Sequence, residues 1–254
     1  MPREGRYLYG LARTDKDLDF GAIGLEFAGA PGRVHTVRVD SVAAVVSPFA
    51  GTDKVMPLRK NLEPHHRVIR EVMKTVTIAP LAFGHVAKSE DAVLSTLRRN
   101  RDNIRDGLDR VDGMVELSLK VKWDVDNIFE YFVGLDSDLA AYRDEIFGRA
   151  YAPGQPEKLE LGRMFEQRLT HEREVDTDRV VEAFGPACSD VKVNPPKNEK
   201  SVMDLAFLVP RDGVAAFEEC LSEVASGFPA QYTFDFGGPW APFNFVEIDL
   251  RQVE

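Results

Sequence analysis

The sequence predicts an α+β protein of two domains followed by an aromatic C-terminal tail. Three observations carry this expectation. Val115, Leu117, Leu119, Val121 and Trp123 alternate with Glu116, Ser118, Lys120 and Lys122, the pattern of a half-buried strand whose polar side faces out. Val68, Ile69, Val72, Met73 and Val76 recur at three- and four-residue spacing, the pattern of one helix face. The order of such segments after Asp112-Gly113 is β-α-(α)-β-β-α-β, a ferredoxin-like arrangement with an enlarged helical crossover. The expected divisions are an N-terminal α+β domain over 1–111, a ferredoxin-like domain over 112–236, and a tail over 237–254 that docks on the body.

In the first domain, Tyr7-Leu8-Tyr9-Gly10-Leu11 is an aromatic-rich opening strand. Residues 13–32 are polar or glycine-rich and are expected to be a loop, with a short strand at Leu25-Glu26-Phe27. Val34–Val39 and Val42–Val46 then form two strands joined by a tight turn at Asp40-Ser41, with Pro48 ending the second. A helix follows from Asn61 to about Thr75, then an extended segment over Val76–Val86 broken by Pro80. Ser89 with Glu90 and Asp91 opens the next helix, because acids favour the first turn. Its apolar stripe is Val93, Leu97, Ile104 and Leu108, giving β-ββ-α-β-α in all.

In the second domain, Asp124 is expected to cap a helix carrying Ile128, Phe129, Phe132 and Val133, with Leu135, Leu139, Tyr142 and Ile146 beyond it. Pro156 suits the first turn of a helix presenting Leu161, Met164, Phe165 and Leu169. Asp176-Thr177-Asp178 is expected to interrupt it before Val180, Val181 and Phe184 resume the stripe. Short strands at Val191–Val193 and Met203–Val209 flank the turn at Asn194–Asn198. A helix with Val214, Phe217, Leu221 and Val224 inward precedes a last strand at Tyr232, Phe234 and Phe236.

Composition narrows the function classes. The chain has 254 residues, 44% hydrophobic and 29% charged, which is ordinary for a globular protein. No window approaches the roughly 18–20 apolar residues of a membrane span. The opening residues Met1–Arg6 lack an apolar signal core, so the expected location is the cytoplasm. A formal charge of −10, from 32 basic and 42 acidic residues, argues against nucleic acid as a partner. Cys188 and Cys220 have no CxxC spacing and are expected to be reduced core residues.

Motifs for chemistry are missing. His65-His66 are adjacent, whereas metal pairs on helices use i, i+4 spacing, so both are assigned to the helix surface or a cap and no metal site is expected. There is no GxxxxGK[ST], no GxGxxG after a strand and no Gly-x-Ser-x-Gly. Catalytic and cofactor-binding residues are therefore expected to be none. The closing run Phe234-Asp235-Phe236-Gly237-Gly238-Pro239-Trp240-Ala241-Pro242-Phe243-Asn244-Phe245 is different. Gly237-Gly238-Pro239 is expected to be the exit turn from the last strand. Trp240, Phe243 and Phe245 beyond it are candidates for partner binding or for docking across the two domains.

Several of these segments resemble the gas vesicle protein F/L family. They are Tyr7-Leu8-Tyr9-Gly10, the passage from His65 to Gly84, Leu205–Arg211 with its following helix, and Phe236–Val246. The Gly-Pro-Trp-x-Pro-aromatic end is the most specific of them. In one place the chain departs from the expected pattern, since Pro80-Leu81-Ala82-Phe83-Gly84-His85 has Ala82 and His85 where arginine and threonine are expected. The resemblance implies a non-enzymatic accessory protein of gas vesicle formation. Its implied partner is the hydrophobic main gas vesicle shell protein (GvpA-like), with other gas vesicle accessory proteins beside it. The competing class is a small-molecule-binding protein or enzyme using a cleft between two α+β domains.

Overall fold

A computed structural model describes residues 4–50, 55–246 and 248, and these form ten strands in two sheets together with six α-helices. The chain divides into two compact units, Met1–Glu116 with Gly238–Glu254, and Leu117–Gly237.

The first unit opens with β1 (Glu4–Arg13), β2 (Asp19–Phe27), β3 (Ala30–Val39) and β4 (Val42–Ala50). It continues through α1 (Arg59–Val72), β5 (Ile78–Pro80), β6 (Val86–Ala87) and α2 (Glu90–Arg110). The sheet order is β2-β3-β4-β1-β5, with β6 also pairing β1. Residues 13–32, expected as a loop, instead supply all of β2 and the start of β3. Two features hid this hairpin. Its turn is Ala28-Gly29, both at positive φ (52° and 85°), without the Asn-Gly or Asp-Gly pair that marks such turns. The β2–β3 register also shifts between Asp19 and Gly21 and between Ala22 and Glu26, which breaks the period-two pattern.

A bulge in β1 decides which side chains meet which helix. Leu8 pairs with Val46 and Gly10 with Val45, so Tyr9 is the extra residue. The inserted residue changes the parity of the strand, and Leu8 and Leu11 then point to the same side. They share a core with Val93, Leu97, Ile104 and Leu108 of α2. Tyr7 and Tyr9 turn to the opposite face, where Tyr7 bonds His65 of α1.

Beyond α2 come β7 (Met114–Trp123), α3 (Ile128–Leu135), α4 (Ser137–Phe147), α5 (Gln155–Phe184), β8 (Asp190–Asn194), β9 (Ser201–Pro210), α6 (Val214–Ser226) and β10 (Tyr232–Trp240). The second sheet runs β10-β7-β9-β8. Its core gathers Trp123, Phe132, Phe184, Phe207 and Phe217, with the Phe184 and Phe217 rings 4.4 Å apart.

Three local expectations change in this part of the chain. Asn127, not Asp124, caps α3, accepting from the Phe129 and Glu130 amides. Asp176-Thr177-Asp178 does not interrupt α5, which is continuous from Gln155 to Phe184. Asp176 turns inward and accepts a hydrogen bond from the Tyr232 hydroxyl at 2.8 Å, a tertiary contact that removes its competition for the helix backbone. Gly237-Gly238-Pro239 is not an exit turn either. The strand β10 continues through it to Trp240, with Gly238 at φ 131° and the Gly238–Pro239 peptide cis. Only glycine adopts such a φ without strain, so the extended path passes where another residue would end it.

Candidate partner-binding site

After β10 the chain turns tightly. The Phe243 amide bonds the Ala241 carbonyl at 2.8 Å and the Phe245 amide bonds the Pro242 carbonyl at 3.3 Å. A carboxylate anchors this turn: Glu116 accepts from the Asn244 backbone amide at 2.8 Å and from its side-chain amide at 2.7 Å. Glu116 is 5% exposed, although strand alternation assigns it to the polar face of β7. The tail covers it and satisfies its charge with hydrogen bonds, which a buried carboxylate requires. Further on, Val246 and Ile248 join the α2 core, and Gly107 provides the space for Ile248. A Cβ on Gly107 would meet Ile248 Cγ1 at 2.8 Å.

With the tail anchored at Asn244 and at Val246 and Ile248, two of its aromatics stay at the surface. Trp240 and Phe243 are each 40% exposed. Together with Ala241 they form a groove of ≈ 260 Å³ against Glu63, His66, Ile69 and Arg70 of α1. The Phe243 ring meets His66 edge-on at 6.0 Å. Phe245, the third sequence candidate, is half-buried and is not among the lining residues. The α1 side of the groove was not legible in the sequence. Its apolar spacing marks the buried face of the helix, and nothing in the pattern says which residues of the outer face another segment approaches.

Beneath the groove lies a buried polar cluster. Successive helical residues are about 100° apart, so His65 and His66 separate into an inward and an outward side chain. His65 is 1% exposed, contrary to the surface or cap role expected for it, while His66 faces out. His65 Nδ1 lies 2.9 Å from the Tyr7 hydroxyl, whose oxygen also accepts from the Gly84 amide at 3.0 Å. The Tyr7 hydroxyl and His65 Nδ1 thus share one buried hydrogen bond between β1 and α1. Burial pushes the His65 pKa down to about 4; His66 and His85 act in the same direction and the Leu81 backbone opposes them. Tyr9 is placed in a similar way, its hydroxyl 2.9 Å from Ser47 Oγ and accepting from the Leu25 amide at 2.8 Å. Burial raises the pKa values of both tyrosines above their usual range. These groups are neutral at physiological pH and tie β1, β2, β4 and α1 together.

Among the described residues no cluster of three or more His, Cys, Asp or Glu side chains could hold a metal ion. No helix among them is long and apolar enough to cross a membrane. The groove itself is lined by the exposed aromatics Trp240 and Phe243 with the charged residues Glu63 and Arg70 beside them.

Comparison with known proteins agrees in sequence and in fold. The family model described as "Gas vesicle synthesis protein GvpL/GvpF" matches residues 5–247. Gas vesicle protein F1 of Halobacterium salinarum is 27% identical over 256 residues, covering 97% of this chain and 95% of its own. Gas vesicle protein F of Dolichospermum flosaquae is 24% identical over 219 residues, covering 85% and 88%. The crystal structure of the gas vesicle protein GvpF from Anabaena sp. PCC7120 superposes with a TM-score of 0.82 at 24% identity, covering 97% of this chain and 99% of that one. The mixed α+β architecture with two sheets is shared with that structure. The match along nearly the whole sequence places this chain in the gas vesicle synthesis protein GvpL/GvpF family.

Proposed function

We propose that this chain is a non-catalytic accessory protein that binds the main gas vesicle shell protein and assists nucleation or assembly of the vesicle. Family membership carries the broader statement, a role in gas vesicle formation. The single observation that supports the finer one is the pair Trp240 and Phe243, held 40% exposed around a groove by a turn whose other residues are buried or bonded. Large rigid aromatics on a preorganised surface are the anchors that dominate protein–protein contacts. A shell subunit with an extensive apolar surface aggregates when left exposed to water. An acidic protein of net charge −10 that covers part of that surface keeps it dispersed. On this reading the protein works in the cytoplasm at the growing vesicle, without cofactor, metal or nucleic acid. The strand order β10-β7-β9-β8 and the connectivity of its helices support a ferredoxin-like reading of the second unit.

Co-purification with the main shell protein tests the proposal. Trp240→Ala with Phe243→Ala should weaken capture at least about tenfold, as truncation of two anchors implies. Circular dichroism should remain that of the wild type. Undiminished capture by a folded double variant would refute the assignment of this surface.

A further inference from the structure

The chain is acidic as a whole, but α1 runs the other way. It carries Arg59, Lys60, Arg67 and Arg70 against Glu63 and Glu71, and Glu71 is engaged by Lys74 at 2.8 Å. All four cations are exposed, and none forms an ion pair with another described residue. Arg67 is committed to the fold through the Ile23 carbonyl at 3.0 Å, while Arg59, Lys60 and Arg70 are not so tied. The first turn of α1 has no acidic residue and no side-chain cap, so the positive end of the helix dipole adds to the same potential.

Position along the helix links this charge to the groove. Residues 59, 63, 66 and 70 follow one another at helical i+4, i+3 and i+4 steps and so share one face. Glu63, His66 and Arg70 of that face line the groove, and Arg59 continues the line one turn further. Ile69, Trp240, Ala241 and Phe243 make its apolar surface. At ≈ 260 Å³ it falls below the roughly 300–1,000 Å³ of small-molecule pockets and suits one or two inserted side chains. Its walls are α1, Trp240 at the end of β10 and the turn that follows it.

The geometry points to one occupant: an amphipathic helix of a partner protein that inserts adjacent aliphatic side chains between Trp240 and Phe243 and presents acidic residues to Arg59 and Arg70. The inference rests on the reading of this surface as partner-binding and adds the chemistry of what it takes. Apolar insertion provides the attraction, and the arginines select sign and orientation.

The test uses the full chain and two synthetic helical peptides that share a leucine face. One flanks the leucines with glutamates and the other with lysines. The chain has two tryptophans, and Trp123 is 1% exposed, so a blue shift on peptide addition reports Trp240. The glutamate peptide should bind about tenfold tighter than the lysine peptide in low salt, from two rim charge pairs. The preference should shrink at about 1 M salt, where screening lengths fall to about 3 Å. Arg59→Glu with Arg70→Glu should reverse the preference, and Arg59→Gln with Arg70→Gln should abolish it if the charge-reversed chain does not fold. Equal binding of both peptides, no saturable shift from either, or a preference that survives the arginine variants overturns the inference. Capture of the main shell protein separates the two proposals. If Trp240→Ala/Phe243→Ala abolishes capture and the arginine variants leave it intact, the acidic-helix inference fails and the proposed function stands. If the shell protein is never captured while the glutamate peptide binds as described, the function fails and the groove chemistry stands.

Discussion

Replacing Asn244 tests whether the buried Glu116 carboxylate holds the tail in place. The Asn244 side chain donates to Glu116 at 2.7 Å and its backbone amide donates at 2.8 Å. Asn244→Ala removes the first bond and keeps the second. A hydrogen bond to a charged group is worth about 1.5–3 kcal/mol, so local opening of the turn should become easier by about 2 kcal/mol. That corresponds to roughly thirtyfold faster amide hydrogen exchange at Asn244 and Phe245 if the turn opens as a unit. Asn244→Asp keeps the shape and places a second carboxylate against the first. Two acids at this distance cannot both ionise without a large penalty, so one proton is held by the pair in the closed state. The closed state then binds more protons than the open one, and stability must fall as pH rises. Asn244→Asp should be worse than Asn244→Ala at pH 7 and should recover progressively as pH falls towards about 4, the ordinary range of the two carboxyls. Exchange measured at both pH values and corrected for intrinsic rates reads this directly. Unchanged exchange in Asn244→Ala, within about twofold, would refute the clamp, as would an Asn244→Asp variant equally stable at both pH values.

Two further expectations concern the cluster beneath the groove. His65 is held neutral, its pKa lowered from 6.5 to about 4, so below pH 6.5 the unfolded chain binds the proton that the folded chain refuses. Stability is therefore fully present above pH 6.5 and lost as pH falls towards 4; the wild type should lose about 2–3 kcal/mol more than His65→Gln between pH 7 and pH 4.5 in urea unfolding. Parallel pH profiles for the two proteins would remove His65 as the titrating group. Gly24→Ala would place a Cβ 2.6 Å from the Tyr9 hydroxyl and 2.9 Å from the Gly32 carbonyl. Displacing that hydroxyl breaks its bond from the Leu25 amide, so a loss of about 1–3 kcal/mol should appear in thermal unfolding, and an unchanged transition would show that Tyr9 yields freely.

Much of the fold was legible where a single period persists. The alternation over Val115–Trp123 became β7, and the spacing of Val68, Ile69 and Val72 became the buried side of α1. The pattern failed where register shifts, as in β2, or where a tertiary partner overrides local preference, as Tyr232 does for Asp176. The site divided in the same way. Density of aromatics singled out Trp240, Phe243 and Phe245, but only the folded chain separates the two groove residues from half-buried Phe245.

By itself the sequence determined the α+β class, the order of its strongly periodic elements and the family to which its closing Gly-Pro-Trp-Ala-Pro-Phe-Asn-Phe run points. Those properties depend on neighbours within a few positions, where period and turn chemistry act. The tertiary structure alone decided that Glu116 is buried, that His65 turns inward while His66 turns out, and that α1 supplies the second wall of the groove. Each is a contact across a large separation in sequence, 128 residues in the case of Glu116 and Asn244, and no local pattern records which distant segment will cover a given face.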